Sequence, residues 1–133
     1  MNQETITFLG CELVGELASY KTKENLPVVW VRNKEIAKAL RSLAKLFKIK
    51  LKACRLSASG SYIEVKYAVG SDSIAIAKLK ACAERFVGID FDGMTDSESF
   101  REVLLSDDGT KALRSYCRGV WIEQEYIPQS KAV

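Results

Sequence analysis

At 133 residues, with 47% apolar and 28% charged side chains and a formal net charge of +3, the chain has the size and composition of one globular domain. This balance excludes a disordered polyelectrolyte, and no stretch reaches the roughly 18 uninterrupted apolar residues of a membrane span. The opening Met1-Asn2-Gln3-Glu4-Thr5 carries an acid where a secretory leader carries basic residues, which points to a protein kept in the cytoplasm and away from membranes.

Thr5-Ile6-Thr7-Phe8 alternates and then meets Gly10 and Gly15, which predicts a first strand and a turn or second strand through Leu13 and Leu17. The polar run 21–25 reads as a loop, ended by Pro27 and the β-prone Val28-Val29-Trp30-Val31. Asn33 has the chemistry of an N-cap, and Ile36, Leu40, Leu43 and Phe47 follow on one face of a helix over 34–47. Ile49, Leu51 and Ala53 alternate with Lys48, Lys50 and Lys52. After the turn 57–61, Ile63 and Val65 alternate with Tyr62, Glu64 and Lys66, predicting a hairpin with one face on the core.

Gly70-Ser71-Asp72-Ser73 breaks the chain and caps a second helix with the stripe Ile76, Leu79, Cys82, Ala83 and Phe86, closed by Gly88. An acidic loop, 90–96, leads into a short amphipathic segment, 97–105, in which Phe100, Val103 and Leu104 share a face. Asp107-Asp108-Gly109 turns the chain, and Ser115 to Tyr126 returns as an edge or closing strand around Val120, Trp121 and Ile122. The expectation is one α+β domain. Residues 1–26 form an N-terminal strand or hairpin and loop, and 27–126 form a β-α-β-β-α-β core with two helices on one face of an antiparallel sheet. Residues 127–133 form a mobile tail.

The four cysteines, Cys11, Cys54, Cys82 and Cys117, are far apart, with no C-x-x-C pair and no histidine to complete a mixed zinc site. They read as reduced, small core hydrophobes, and neither a metal nor another cofactor is expected. Without histidine the commonest general base is missing, so no catalytic residue is assigned and a non-enzymatic role is expected.

Charge is polarised along the chain. Residues 32–55 hold nine basic side chains against Glu35 alone, whereas 84–108 hold eight acids against Arg85 and Arg101. Lys34, Lys38, Arg41 and Lys45 recur at helical spacing and form a basic ridge. An uncovered sheet face carrying Lys48, Lys50, Lys52 and Lys66, with Tyr62 for stacking, would extend it into a nucleic-acid surface. Lysines on a solvated helix and a wet sheet face also serve solubility, and an acidic host protein would fit the same ridge. No RNP-type aromatic pair, G-x-x-G loop or helix-turn-helix spacing accompanies the charges.

Asp90-Phe91-Asp92-Gly93-Met94 resembles the D-x-D-G-T nucleophile motif of haloacid-dehalogenase-type phosphatases, with Asp90 as nucleophile, Asp92 as acid/base and Mg²⁺ held between them. That fold needs the motif on the first strand of a large parallel sheet and distant acidic partners; here Met94 replaces the threonine and little chain remains downstream. The glutamate that would close an EF-hand loop is missing as well.

Between about Arg32 and Ile122 the chain resembles a small domain found in the large polyvalent proteins of phages and conjugative elements. The resemblance is carried by Ile36-Ala37-Lys38-Ala39-Leu40-Arg41 with Phe47, by Ser59-Gly60-Ser61-Tyr62-Ile63-Glu64-Val65, and most specifically by Phe91-Asp92-Gly93-Met94-Thr95-Asp96. Ser61 stands where the pattern has a second glycine, and no proline follows Gly70. The resemblance implies a gene of a phage, plasmid or integrated element and brings no residue-level activity. In such a domain Phe91 and Met94 would plug the core beneath the second helix, while Asp92 or Asp96 caps the next segment.

Three functions follow as expectations. The first is a binding protein of a mobile element that contacts nucleic acid or a nucleic-acid-handling host complex, counter-defence included. The second is an interaction module or homodimer using a sheet edge or Trp30 and Trp121. The third, least consistent with the context, is the Mg²⁺-dependent phosphatase.

Overall fold

The computed structural model describes residues 2–95 and 97–127, apart from the side chains of Phe91 and Asp92. The expected mobile tail from 128 onward and the capping role of Asp92 or Asp96 lie outside the described residues.

Alternation of Ile6 and Phe8 with polar residues makes β1 (Gln3–Phe8). Leu9 and Gly10, at φ of 52° and 74°, form the two-residue turn whose twist suits a hairpin, and β2 (Cys11–Lys21) returns antiparallel. Next come β3 (Pro27–Val31) and α1 (Asn33–Leu46), with Ile36, Leu40 and Leu43 buried on one face as the spacing predicts. The hairpin β4 (Leu51–Leu56) and β5 (Tyr62–Tyr67) leads to α2 (Ser73–Phe86), whose N-cap Asp72 accepts a hydrogen bond from Ala75 N at 3.0 Å. The chain then makes β6 (Ile89–Asp92), β7 (Ser97–Phe100), β8 (Leu104–Leu105), β9 (Ala112–Ser115) and β10 (Gly119–Gln124).

The fold is α+β, as the sequence predicts, but the strands do not share one sheet. A five-stranded sheet runs β1-β2-β3-β9-β8, a three-stranded sheet runs β10-β5-β4, and β6 pairs with β7 alone among the described residues. Most pairings are antiparallel; β3 with β9 and β5 with β10 are parallel. The strand expected over 115–126 around Val120, Trp121 and Ile122 is β10, at the edge of the smaller sheet, and a separate strand, β9, ends at Ser115 in the larger one. At Tyr116–Arg118 the chain leaves the larger sheet, where Gly88 N donates to Cys117 O, and enters the smaller one, where Arg118 N donates to Ser61 O.

The two helices consequently do not sit on one face of a single sheet. α1 touches β2 of the larger sheet, β4 and β5 of the smaller one, and α2. Its broad buried face, widened by Ala37, Ala39 and Ala44, fits between two layers rather than against one. Two thiols mark those layers: Cys54 Sγ lies 3.5 Å from Ala37 O and Cys11 Sγ 3.8 Å from Ala39 O. The ends of the core meet where Phe8 of β1 packs edge-on to Phe86 of α2, with centroids 5.3 Å apart.

Four local expectations are corrected. Residues 97–105, expected as one amphipathic segment with Phe100, Val103 and Leu104 on a shared face, are two strands joined by irregular chain at 101–103, with Phe100 opposite Ile89 and Leu104 opposite Leu113. Asn33 does not cap α1; Arg32 occupies the N-cap position, and the Asn33 amide donates to Gly60 O at 2.7 Å, tying the helix start to the β4–β5 turn. Met94 is 95% exposed at the tip of the β6–β7 hairpin and plugs no core. Finally, a register shift between Leu51 and Ala53 inserts Lys52 as an extra residue in β4. Beyond this bulge Cys54, not Ala53, faces α1.

Candidate functional site

The basic ridge exists as the helical spacing requires: Lys34, Lys38, Arg41 and Lys45 are all exposed along the solvent side of α1. Arg41 reaches sideways, its guanidinium donating to Cys54 O of β4 at 2.5 Å. That bond ties the ridge to the free edge of the smaller sheet, yet leaves the Arg41 charge unneutralised because its partner is a neutral carbonyl. Burial pushes the Cys54 thiol up, with the Arg41 guanidinium pulling against it.

Lys48, Lys50 and Lys52 do not form the expected row on one strand. Lys48 lies in the link after α1, where the chain reverses in the left-handed region at φ 59°. Lys50 precedes β4, and Lys52 is the bulge residue. All three are exposed, and together they prolong the ridge around the C-terminus of α1 onto the β4 edge.

Among the described residues, Lys38 alone of these seven is ion-paired, to Glu35 at 3.4 Å; that carboxylate also accepts from Val14 N. Lys34, Arg41, Lys45, Lys48, Lys50 and Lys52 keep their full charge toward solvent.

The two remaining predicted residues are engaged elsewhere. Lys66 lies on the outer face of the smaller sheet and bonds Glu123 of β10 at 2.5 Å, which holds the Glu123 carboxyl below its usual range. Tyr62 stacks on Trp121 with centroids 4.7 Å apart, and Arg55 pairs with Glu64 beside them. This face is thus neutralised within itself.

A second aromatic group forms on the larger sheet, and nothing local in the sequence announces it. Val29 and Val31 point into the core, so the strand period turns Trp30 outward, where Tyr116 stacks on it at 4.5 Å and 17°. Phe100, delivered by β7, stands edge-on to both rings at 5.6 and 5.7 Å, and Arg114 lies over the Phe100 ring at 5.6 Å. Trp30 and Tyr116 line a groove whose other walls include Glu16, Arg32, Lys34, Leu56 and Gly60.

In the β6–β7 hairpin, Asp90 is paired with Arg101 at 2.7 Å, on an antiparallel ribbon rather than the parallel sheet a phosphatase nucleophile needs. Among the described residues, no cluster of three or more Cys, Asp or Glu could hold a metal ion, and no helix is long and apolar enough to cross a membrane.

No protein-family model matches the chain, and no curated protein or solved structure is significantly similar to it.

Proposed function

We propose that this is a non-enzymatic nucleic-acid-binding protein of a mobile genetic element, acting in the cytoplasm and gripping phosphates with the solvent side of α1 and the adjoining β4 edge. The observation that carries this reading is the set of cations Lys34, Arg41, Lys45, Lys48, Lys50 and Lys52, which form no ion pair among the described residues and follow one another along α1 and the adjoining β4 edge. Cations held without carboxylate partners attract a polyanion at no cost in broken ion pairs, and each phosphate neutralised releases condensed counterions. The mobile-element setting is supported by the resemblance around Phe91-Asp92-Gly93-Met94-Thr95-Asp96. A role against host nucleic-acid-handling complexes is consistent with it.

Fluorescence anisotropy with labelled DNA and RNA oligonucleotides tests the proposal. With roughly five phosphates engaged, the log–log slope of affinity against salt is about −4, and affinity falls several hundredfold from about 50 to about 200 mM salt. Lys45→Glu combined with Lys50→Glu, both at exposed positions, should weaken binding at least about tenfold. Equal binding by this double variant refutes the assignment.

One observation favours a second reading, a protein-interaction module. The outer face of the smaller sheet combines the stacked Tyr62–Trp121 pair, with Trp121 48% exposed, and the paired charges Arg55–Glu64 and Lys66–Glu123. Concentration-dependent mass by light scattering, lost in Trp121→Ala, would mark a homodimer through this face.

A further inference from the structure

We propose that the groove beside Trp30 and Tyr116 stacks an unpaired base, so that the ligand of the basic ridge is a single strand rather than a duplex. This rests on the nucleic-acid reading of the ridge and adds to it the class of nucleic acid. The platform is preassembled: Tyr116 is 57% exposed while its other face lies on Trp30, and Phe100 and Arg114 brace the pair from the side. Rings already fixed by one another lose little freedom when a base stacks on them.

Charge selects the occupant. Arg32, Lys34 and Glu16 line the groove; Glu16 is paired with Arg32 at 3.0 Å, which leaves Lys34, unpaired among the described residues, as the groove's net positive charge. The other aromatic stack, Tyr62 on Trp121, is flanked instead by the ion pairs Arg55–Glu64 and Lys66–Glu123, so the cations beside it are already neutralised. Lys34 belongs to both features, as the first cation of the ridge and a wall of the groove. From Lys34 to Lys45 the ridge is about 16 Å long. A flexible strand can follow it and turn a base into the groove. Away from its two ends a duplex keeps the faces of its bases inside its own stack and cannot offer one to Tyr116.

The test uses short single-stranded DNA and RNA oligonucleotides and a blunt duplex of the same sequence. Tyr116→Ala should weaken single-strand binding roughly five- to hundredfold, with Tyr116→Phe within about twofold of wild type and duplex binding unchanged. The chain has two tryptophans, so Trp121→Phe leaves Trp30 as the reporter, and single strands, not duplex, should quench its emission saturably. Comparing DNA with RNA identifies which strand is preferred.

If Tyr116→Ala binds single strands as tightly as wild type while Lys45→Glu with Lys50→Glu still weakens binding at least about tenfold, the groove inference falls and the ridge stands. Duplex binding equal to single-strand binding, without quenching of Trp30, overturns it as well. Failure of every oligonucleotide to bind the wild-type protein removes both readings.

Discussion

Lys48 tests the relation between stability and function at one residue. The helix α1 ends in a Schellman arrangement: Lys48 N donates to Lys45 O at 3.1 Å and Ile49 N to Ala44 O at 2.8 Å, with Ile49 buried. The reversal needs a left-handed residue, and Lys48 fills it at φ 59° where glycine is the usual choice. A Cβ in that region costs about 1–2 kcal/mol, and the greater unfolded freedom of glycine returns about 0.5–1 kcal/mol of this. Lys48→Gly should therefore stabilise the fold by about 0.5–1 kcal/mol, raising Tm by roughly 2–5 °C.

The same substitution removes one cation from the ridge, so the salt slope should shrink by about 0.9 on a duplex or about 0.7 on a single strand. Lys48→Ala separates the effects, since it keeps the Cβ and loses the charge: stability should stay within about 0.5 kcal/mol while the slope shrinks equally. Urea unfolding by circular dichroism and salt-dependent anisotropy read the two quantities. A destabilised Lys48→Gly refutes the cap geometry, and an unchanged slope in both variants removes Lys48 from the binding surface.

Three further outcomes follow from local geometry. A Cβ at Gly88 would lie 2.2 Å from Ser115 O, in a strand whose Ser115 hydroxyl is already fixed on Phe86 O at 2.8 Å, so Gly88→Ala should cost about 2–3 kcal/mol in chemical denaturation. A cost below about 0.5 kcal/mol would show that β9 yields freely. Hydrogen bonds from Ser106 and Thr110 bring the Asp108 carboxyl down from 3.8 to about 2. Because the folded value is the lower one, its stabilising contribution is complete above the ordinary carboxylate value and is lost as pH falls through about 2. Thr110→Ala should move the NMR titration of Asp108 upward, and an unmoved titration contradicts the assignment. Burial pushes the Cys117 thiol up to about 11, so it should resist alkylation at neutral pH in the native protein and react once unfolded. Native labelling at the rate of a free thiol would refute its burial.

What the sequence determined by itself is what local periodicity encodes. Ile36, Leu40 and Leu43 fixed the buried face of α1 and, by the same helical arithmetic, placed Lys34, Lys38, Arg41 and Lys45 on the opposite side. Asp72 likewise announced the start of α2, and Asp107-Asp108-Gly109 a turn that the structure closes through Gly109 N on Ser106 O. Strand alternation, in contrast, says which side chains share a face and not which strand lies alongside. Nothing in Ala112–Ser115 distinguishes pairing with β3 from continuation into β10, so the division into separate sheets was decided by tertiary packing of α1 between them. The bulge at Lys52 broke the expected lysine row because an inserted residue leaves no trace in a pattern of period two. The aromatic groove is wholly tertiary. Trp30, Phe100 and Tyr116 come from three separate stretches of chain, and the parallel pairing that sets Arg114 beside Trp30 is what brings Tyr116 onto its ring.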